Sequence, residues 1–184
     1  MKRLNPAALR GCLFAAVLAL AVCAAPPAGW SQTEPRAKCK VHLGNFVKSL
    51  IKDWAGALKD SKPDDTRPVV SKYAPGATGA ILLPTCSATP AIGTDAITAY
   101  FGGEHGFLSS APEVTEIGEP TVGGDCDASI FGSGLYTFKL NAVDKTVRAR
   151  YSYIFETRGQ PAQWLIVQHH SSLAPKVPGN DCPH

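Results

Sequence analysis

Side chains suited to acid–base chemistry lie close together near the end of this sequence. Two adjacent histidines, His169 and His170, follow an apolar segment, and three tyrosines, Tyr136, Tyr151 and Tyr153, precede them. An imidazole changes its charge near neutral pH and can therefore serve as a general base. A tyrosine hydroxyl can donate a hydrogen bond to negative charge that develops on a substrate. These residue types would support a general acid–base reaction if the fold brought them into one cavity.

The histidines and two of the tyrosines belong to a predicted β-hairpin. Two β-branched and aromatic segments, Val147–Thr157 and Gln163–Ser171, flank a short loop that contains Gly and Pro. Side chains alternate between the two faces of a strand, which places both tyrosines on one face of the first segment. In the second segment the same alternation places on one face Trp164, Ile166, Gln168 and His170. We therefore expect His170 inside a cavity and His169 exposed or in an interface.

The predicted cavity has a defined set of candidate ligand-binding residues. They are the side chains on the tyrosine face and one helical wall: His170, Gln168, Tyr151, Tyr153, Tyr136 and Trp54. His170 is the best candidate for a catalytic base. The favoured alternative is that His170 hydrogen-bonds a tyrosine or a backbone carbonyl in a polar core, because no carboxylate is placed on the same face. A buried carboxylate close to His170, from Asp53 or Asp95, would favour catalysis instead.

The first half of the chain predicts helices that would cover this hairpin. Apolar residues recur at three- and four-residue spacing over Ala37–Asp60 and predict a long amphipathic helix that carries Trp54. A short second helix is predicted from Asp64 or Asp65 to about Tyr73, and a third begins with Thr94 as its N-cap.

The remaining segments predict strands. Short strands at 80–83 and 91–92 precede a strand over Glu113–Val122, a turn at 123–125 and a long strand over Cys126–Leu140. Gly132 and Gly134 interrupt the long strand and indicate a bend, as expected where a sheet curls. Helices followed by a run of strands predict an α+β fold. In this fold the N-terminal helices pack on a strongly curled antiparallel sheet and leave a cavity between the layers.

The two ends of the chain are predicted to lie outside the domain. Residues 1–31 combine three basic side chains with an apolar run that is too short to span a bilayer, which predicts a secretory signal peptide and a periplasmic or secreted protein. Residues 37–175 form the predicted domain, and 176–184 form a tail. The net charge of +3 equals the three basic residues of the signal segment. The rest of the chain therefore has no net charge. This removes the main electrostatic argument for nucleic acid or an anionic membrane as a partner.

Cysteine usage agrees with export. Of six cysteines, four lie outside the signal segment: Cys39, Cys86, Cys126 and Cys182. An even number in an exported chain predicts two disulfides, and the three possible connectivities stay open. A zinc site is less favoured because the spacings are wide and Cys-x-x-Cys is lacking. We therefore expect no metal and no cofactor, and the adjacent Glu104 and His105 are interpreted as part of a solvated loop.

Several short segments resemble one group of proteins. The stretch from Trp164 to Ser172, followed by Ala174-Pro175, resembles the last strand of the calcium/calmodulin-dependent protein kinase II association domain, a member of the nuclear transport factor 2-like (cystatin-like) superfamily. It is similar also to small stand-alone bacterial proteins of the SnoaL-like group. Those relatives carry matches to Tyr73-Ala74-Pro75, Ile81–Thr85 and Val147–Ser152. The resemblance covers roughly Val41 to Pro175.

The resemblance implies a cystatin-like cone with a deep pocket and assembly into a homodimer or a larger ring. The family's strand-end histidine falls on His170. The kinase domain's pocket arginine and its acidic neighbour fall on Tyr153 and Tyr151, so the resemblance does not carry over a charged ligand. Kinase activity is not implied either, because the sequence lacks a glycine-rich nucleotide loop and a catalytic-loop motif.

Three functions stay open at this point. The first is an exported homo-oligomeric assembly module that binds a small, partly apolar molecule. The second is an isomerase, dehydratase or cyclase that uses a pocket histidine, since the same fold hosts ketosteroid isomerase, scytalone dehydratase and polyketide cyclases. The third is a structural domain whose sheet docks a partner, and a large apolar outer sheet face would favour it.

Overall fold

A long amphipathic helix and a seven-stranded sheet dominate the part of the chain that the structure describes. The structure is a computed structural model and describes residues 39–175. The predicted signal peptide, the tail 176–184 and Cys182 lie outside the described residues. In chain order the elements are α1 (Leu43–Asp60), α2 (Arg67–Val70), β1 (Ile81–Leu83), β2 (Ala91–Ile92), α3 (Gly93–Phe101), β3 (Pro112–Ile117), β4 (Thr121–Asp125), β5 (Ser129–Leu140), β6 (Lys145–Arg158) and β7 (Gln163–Leu173).

The sheet has the order β2-β1-β7-β6-β5-β3, and β4 also pairs with β5. All pairings are antiparallel except that of β1 with β7, which is parallel. The fold is the predicted α+β cone, with a curled sheet and the helices on one side. The parallel pair is a departure from the purely antiparallel sheet that the sequence predicted. It arises because β1 comes before the meander and adds to the edge of its last strand.

The apolar stripe of α1 packs against one face of the sheet, which we call the inner face. Val47, Ile51, Trp54 and Leu58 recur at three- and four-residue spacing and are buried. On β6, the alternate residues from Val147 to Phe155 are buried beneath them, as the period-two pattern predicted. On β5, Ile130, Tyr136, Phe138 and Leu140 occupy the same face. We call the opposite face, which carries the alternating polar residues, the outer face.

Gly132 lets the helix approach the sheet closely. A Cβ atom at Gly132 would lie 2.5 Å from Cγ1 of Val47 on α1. At Gly134 a Cβ atom would lie 2.7 Å from the hydroxyl oxygen of Tyr151. The two glycines predicted to bend the long strand therefore make room for a helix side chain and for a neighbouring tyrosine ring.

Four predicted boundaries differ from the structure. The strand predicted over Glu113–Val122 is divided into β3 and β4, because Gly118, Glu119 and Pro120 leave the ladder. The turn predicted at 123–125 lies within β4, and the reversal follows at Cys126, where the Ala128 N–H donates to the Asp125 carbonyl at 2.9 Å.

The first predicted helix is interrupted at His42, before α1 begins. The third begins at Gly93, while the Thr94 hydroxyl accepts a hydrogen bond from the Gly76 N–H instead of capping the helix.

A β-bulge in β7 exchanges the predicted positions of the two histidines. Phe155 pairs with Ile166 and Ile154 pairs with Gln168, so Val167 is an extra residue without a partner on β6. An extra residue reverses the alternation beyond it. His169 is therefore on the inner face with Ile166 and is 3% exposed, whereas Gln168 and His170 are half-buried on the outer face. The prediction that His170 points inwards and His169 outwards was wrong for this reason.

A disulfide joins Cys39, before α1, to Cys126 in the β4–β5 reversal, with a Cα–Cα distance of 5.8 Å. Cys86 is also disulfide-bonded, and its partner lies outside the described residues. Among residues 39–175 we find no helix with both the length and the hydrophobicity that a membrane span requires.

Candidate functional site

The inner face carries a cluster of aromatic and polar side chains centred on His169. Trp54 comes from α1, Tyr136 from β5 and Tyr153 from β6, while Tyr73 follows α2. The backbone of residues 72–74 brings Tyr73 into the cluster, because the Ile166 N–H donates to the Lys72 carbonyl and the Ala74 N–H donates to the Ile166 carbonyl, both at 2.8 Å. We call these five residues the His169 cluster.

One directed series of hydrogen bonds runs through the His169 cluster. The Trp54 indole Nε1 donates to the Tyr73 hydroxyl at 3.1 Å. The Tyr73 oxygen thus accepts from Trp54, and its proton is free to be donated to Nδ1 of His169, which lies 2.8 Å away. This arrangement places the imidazole proton on Nε2, which faces the Tyr136 hydroxyl at 3.5 Å.

The series continues towards the edge of the sheet. The Tyr136 hydroxyl donates to the Ser171 hydroxyl at 2.6 Å, and Ser171 in turn contacts the hydroxyl of Thr85, which follows β1. Each residue from Tyr73 to Ser171 in the series has one neighbour for its donor and one for its acceptor. The series therefore satisfies buried polar groups and fixes the orientation of the rings.

The rings of the His169 cluster also pack closely. His169 stacks on Tyr153, with ring centroids 4.1 Å apart and an interplanar angle of 19°. Trp54 contacts the imidazole edge-on, with a centroid distance of 5.1 Å. Trp54, Tyr136 and Tyr153 are each at most 2% exposed. The inner face at this level is filled by side chains.

Burial sets the protonation state of the cluster. Desolvation, with a smaller contribution from the charge of His170, lowers the pKa of His169 to about 3, so the imidazole is neutral at physiological pH. Burial likewise raises the pKa of Tyr73, Tyr136 and Tyr153 above the usual value for tyrosine. A neutral imidazole between neutral phenols is consistent with a structural polar core, and its lowered pKa makes it a weak base.

Two tyrosine hydroxyls on the inner face, one of them in the His169 cluster, are buried without a hydrogen-bond partner among the described residues. The hydroxyl oxygens of Tyr151 and Tyr153 are inaccessible and have no hydrogen-bond partner within residues 39–175. Burial is the main reason that the pKa of Tyr151 is raised, and the charge of Glu119 adds to it. Each of these hydroxyls is a buried polar group that lacks a hydrogen bond, which costs stability.

The outer face carries an exposed row of cross-strand neighbours. Phe131 pairs with Ile154, Ile154 with Gln168, Gln168 with Ile81, and Ile81 with Ile92. Directly opposite residues project from the same face, so the row crosses five strands. Every member except Gln168 is apolar, and we call it the apolar row. Phe131, Ile81 and Ile92 are 43%, 39% and 49% exposed. Large side chains left in water in this arrangement are typical of a contact surface.

Comparison with known proteins identifies the family. A Xanthomonas campestris protein assigned to the calcium/calmodulin dependent protein kinase II association domain is 35% identical to this chain; the match covers 71% of this chain and 87% of that protein, with a TM-score of 0.60. This chain belongs to the calcium/calmodulin-dependent protein kinase II association-domain family. No protein-family model and no curated protein sequence matches the chain.

More distant structures show only that the association domain has the NTF2-like fold. A Pseudomonas putida NTF2-like protein of unknown function is 15% identical, over 77% of this chain and 93% of that one, with a TM-score of 0.53. An NTF2-like protein with a cystatin-like fold from Novosphingobium aromaticivorans is 11% identical, over 78% of this chain and 90% of that one, with a TM-score of 0.56.

The structure divides the predicted ligand-binding residues of this association domain between two faces. Trp54, Tyr136, Tyr151 and Tyr153 are together on the inner face. Gln168 and His170 are on the outer face, opposite Ile154 and Ser152. One pocket cannot contain all six, and whether either group binds a ligand stays a prediction.

Sequence reasoning missed His169, Tyr73 and Ser171 as members of the site. The signal for His169 was weak, because a one-residue bulge leaves no mark in the pattern of apolar residues. Tyr73 was noted as the end of a predicted helix and as part of the Tyr73-Ala74-Pro75 resemblance, and neither observation placed its side chain on the sheet.

The carboxylates that would have supported catalysis lie elsewhere. Asp53 is exposed and accepts a hydrogen bond from Lys72 at 2.6 Å, and Asp95 is exposed on α3. Glu104 and His105 are exposed in the loop after α3. Within residues 39–175 no three His, Cys, Asp or Glu side chains are grouped as metal ligands.

Proposed function

We propose that this protein is an exported homo-oligomeric assembly module in which the outer face of the sheet forms the contact between copies. The observation that carries the proposal is the apolar row from Phe131 to Ile92, because Phe131, Ile81 and Ile92 are exposed and the row crosses five of the seven strands. Burying such a row against a second copy removes apolar surface from water. The name of the Xanthomonas relative, an association domain, supports the same role.

Two observations support the choice of assembly and export. The interior is occupied by the stacked rings of the His169 cluster, and its imidazole has neutral partners, so an acid–base enzyme has less support. The disulfide between Cys39 and Cys126, together with the disulfide-bonded Cys86, supports an oxidising compartment such as the periplasm.

A small, partly apolar ligand is a second proposed function of the same module. The buried hydroxyls of Tyr151 and Tyr153, which have no partner within the described residues, support it. Because the stacked rings occupy the interior, they would have to move apart before a polar atom of such a ligand reached the hydroxyls. Native mass spectrometry of protein recovered from the periplasm of its own host would reveal a retained molecule as added mass, and spectra that show only the protein would count against this function.

The assembly proposal is tested by placing a charge at two positions in the apolar row, one on β5 and one on β1. Phe131→Lys and Ile81→Lys each put an ammonium group into the proposed contact, and we expect each to weaken self-association by about tenfold or more. The matched control is Val143→Lys. Val143 is 55% exposed but lies in a short 3₁₀ helix before β6, away from the row.

Sedimentation equilibrium and native mass spectrometry would measure the association constant, and circular dichroism would confirm that each variant is folded. The proposal expects an oligomer for the original chain and for Val143→Lys. It fails if the original chain is a monomer at about 100 μM, or if the row variants associate as tightly as the control.

A further inference from the structure

The loop between β1 and β2, residues 84–90, contains a cysteine whose sulfur is already bonded. Cys86 is exposed and disulfide-bonded, while Cys39 and Cys126 are bonded to each other, so the partner of Cys86 lies outside the described residues. The sequence has three cysteines there: Cys12, Cys23 and Cys182. The first two belong to the predicted signal peptide, which export removes. In the exported chain the remaining partner is therefore the cysteine of the tail.

Cys86 lies beside the end of β7, the point from which the tail departs. β1 runs parallel to β7 and pairs with it. After β1 has ended, the Thr85 hydroxyl still contacts the Ser171 hydroxyl on β7, so the two segments remain adjacent. Cys86 directly follows Thr85, and β7 ends at Leu173, two residues after Ser171. The cysteine and the start of the tail are therefore neighbours.

The tail is long enough to return to this loop. Eight residues lead from Ala174 to Cys182, and an extended chain of that length spans about 26–29 Å. The path from Ala174 back to Ser171, across the hydroxyl contact to Thr85 and on to Cys86 is at most about 22 Å. The Cα atoms of two bonded cysteines are about 4.4–6.8 Å apart. The tail can therefore reach Cys86 without moving the sheet.

The tail also contains a sequence that reverses the chain. Pro178 and Gly179 are adjacent, and these residue types suit the two central positions of a type II β-turn. Proline fixes the φ angle that the first position needs, and glycine adopts the positive φ of the second. Pro178 is four residues after Ala174 and four before Cys182. A turn here would direct the second half of the tail back towards the end of β7.

We propose that Cys86 and Cys182 form a disulfide that folds the tail back onto the loop after β1 and clamps β1 to β7. We call this disulfide and the folded tail the tail clasp, and the inference rests on the proposed export of the protein. Two thiols lose two protons and two electrons to a disulfide donor of the oxidising compartment. The Sγ–Sγ bond forms, the disulfide bond of the donor breaks, and the donor leaves as a dithiol.

β1 is a short strand that such a clasp would hold in place. It pairs with β7 over three residues and with β2 over two. Leu82 of β1 is buried opposite His169, and Thr85 contacts Ser171 in the hydrogen-bond series of the His169 cluster. Separation of β1 from β7 would admit water to this edge of the cluster. The tail clasp therefore protects the cluster, and it keeps Ile81 in the apolar row.

Digestion of the exported protein without a reducing agent tests the link itself. Trypsin alone cannot separate Cys86 from Cys126, because no lysine or arginine lies between Tyr73 and Lys139, so a glutamate-specific protease is added. We expect a mass that joins the Cys86 peptide to the tail peptide 177–184 and that disappears on reduction with dithiothreitol. A Cys86 peptide with a free thiol, or one joined to Cys86 of a second copy, would overturn the proposal.

The mass of the intact protein distinguishes a failure of the clasp from a failure of export. If residues 1–31 are retained and Cys86 is joined to Cys12 or Cys23, both the export and the tail clasp are wrong. If the N-terminal segment has been removed and Cys86 has a partner other than Cys182, the tail clasp alone is wrong.

Hydrogen–deuterium exchange of the double variant Cys86→Ser/Cys182→Ser tests what the clasp does. We expect the backbone amides of β1 to exchange about tenfold or more faster, while those of β5 and β6 keep their rates, because only this edge opens. The matched control is Ser87→Ala, which removes a hydroxyl bound to Thr89 in the same loop and keeps both cysteines. Its β1 amides should exchange as in the original chain. Unchanged exchange in the double variant, or equal acceleration in every strand, would contradict a clamp on β1.

Discussion

Tyr153 and His169 lie directly opposite each other on β6 and β7, and their rings stack with centroids 4.1 Å apart. This contact depends on the bulge at Val167, because without the extra residue the neighbouring His170 would occupy the inner face. A single insertion in the ladder therefore decides which imidazole is buried. The consequence is a neutral histidine held between a stacked ring and two phenol hydroxyls.

The hydroxyl groups of Tyr73 and Tyr153 are expected to contribute differently to the stability of this core. Replacing each tyrosine by phenylalanine measures the two contributions separately. Tyr73→Phe removes the donor to His169 and the acceptor of the Trp54 indole, so two buried polar groups lose their partner. We expect the free energy of unfolding to fall by about 1–3 kcal/mol. Urea-induced unfolding followed by circular dichroism measures the change.

Tyr153→Phe is the matched control for this prediction. Its hydroxyl is buried and has no hydrogen-bond partner among the described residues, so its removal leaves the ring stacking intact and relieves a desolvated group. We expect a change between zero and about 1 kcal/mol of stabilisation. Equal losses in the two variants would show that the series of hydrogen bonds through Tyr73 does not operate.

The buried His169 is expected to make stability depend on pH. Its pKa is about 3 in the folded protein, while an exposed histidine has a pKa of about 6.5. Between these values the unfolded chain binds a proton that the folded chain does not bind. The free energy of unfolding contributed by this residue is therefore complete above about pH 6.5 and decreases as the pH falls towards 3, by at most about 1.4 kcal/mol per pH unit.

A comparison with His169→Gln isolates this contribution from that of the carboxylates. Both proteins are unfolded in urea at pH 7, 6, 5 and 4, and the difference between their free energies of unfolding is plotted against pH. We expect the original protein to lose stability more steeply between pH 6 and 4. If this difference does not change with pH, His169 is protonated in the folded state or accessible to water.

The alternation of β5 and β6 could be predicted because these strands pair without interruption over residues 129–140 and 145–156. Apart from Gly132 and Ala149, each buried residue there is large and apolar or aromatic, so the period-two pattern is visible. The inner face of β7 could not be predicted, because the bulge reverses the pattern between Ile166 and Gln168, and histidine and glutamine occur on either face. Tyr73 was also beyond reach, since its contact with His169 joins residues that are 96 positions apart.

Close packing between α1 and β5 leads to a prediction at Gly132. The added methyl group of Gly132→Ala would lie 2.5 Å from Cγ1 of Val47, which forces the helix or the strand to move. We expect a loss of about 1–3 kcal/mol from overpacking. Combining it with Val47→Ala removes the obstructing atoms, so the double variant should be more stable than the sum of the two single changes predicts, by about 1 kcal/mol.

Gly56→Ala provides the control for this glycine substitution. Gly56 is exposed on α1, and a Cβ atom there meets nothing within 4 Å. Because alanine favours the helix over glycine, we expect stabilisation by about 0.5–1 kcal/mol. Additive effects of Gly132→Ala and Val47→Ala would contradict the proposed contact.

The disulfide between Cys39 and Cys126 is expected to contribute substantially to stability, because it closes a loop between residues 87 positions apart. Cross-linking a chain over this separation reduces the entropy of the unfolded state and corresponds to a stabilisation of about 4.6 kcal/mol, within a usual range of about 2–5 kcal/mol. The double variant Cys39→Ser/Cys126→Ser should therefore unfold at a clearly lower urea concentration than the original protein.

Lys40→Ala is a suitable control for the disulfide variant, because it removes only an exposed ion pair with Asp127 beside the disulfide. It should lower the free energy of unfolding by less than about 1 kcal/mol. An equally small effect of the double variant would show that Cys39 is held in place by its packing alone.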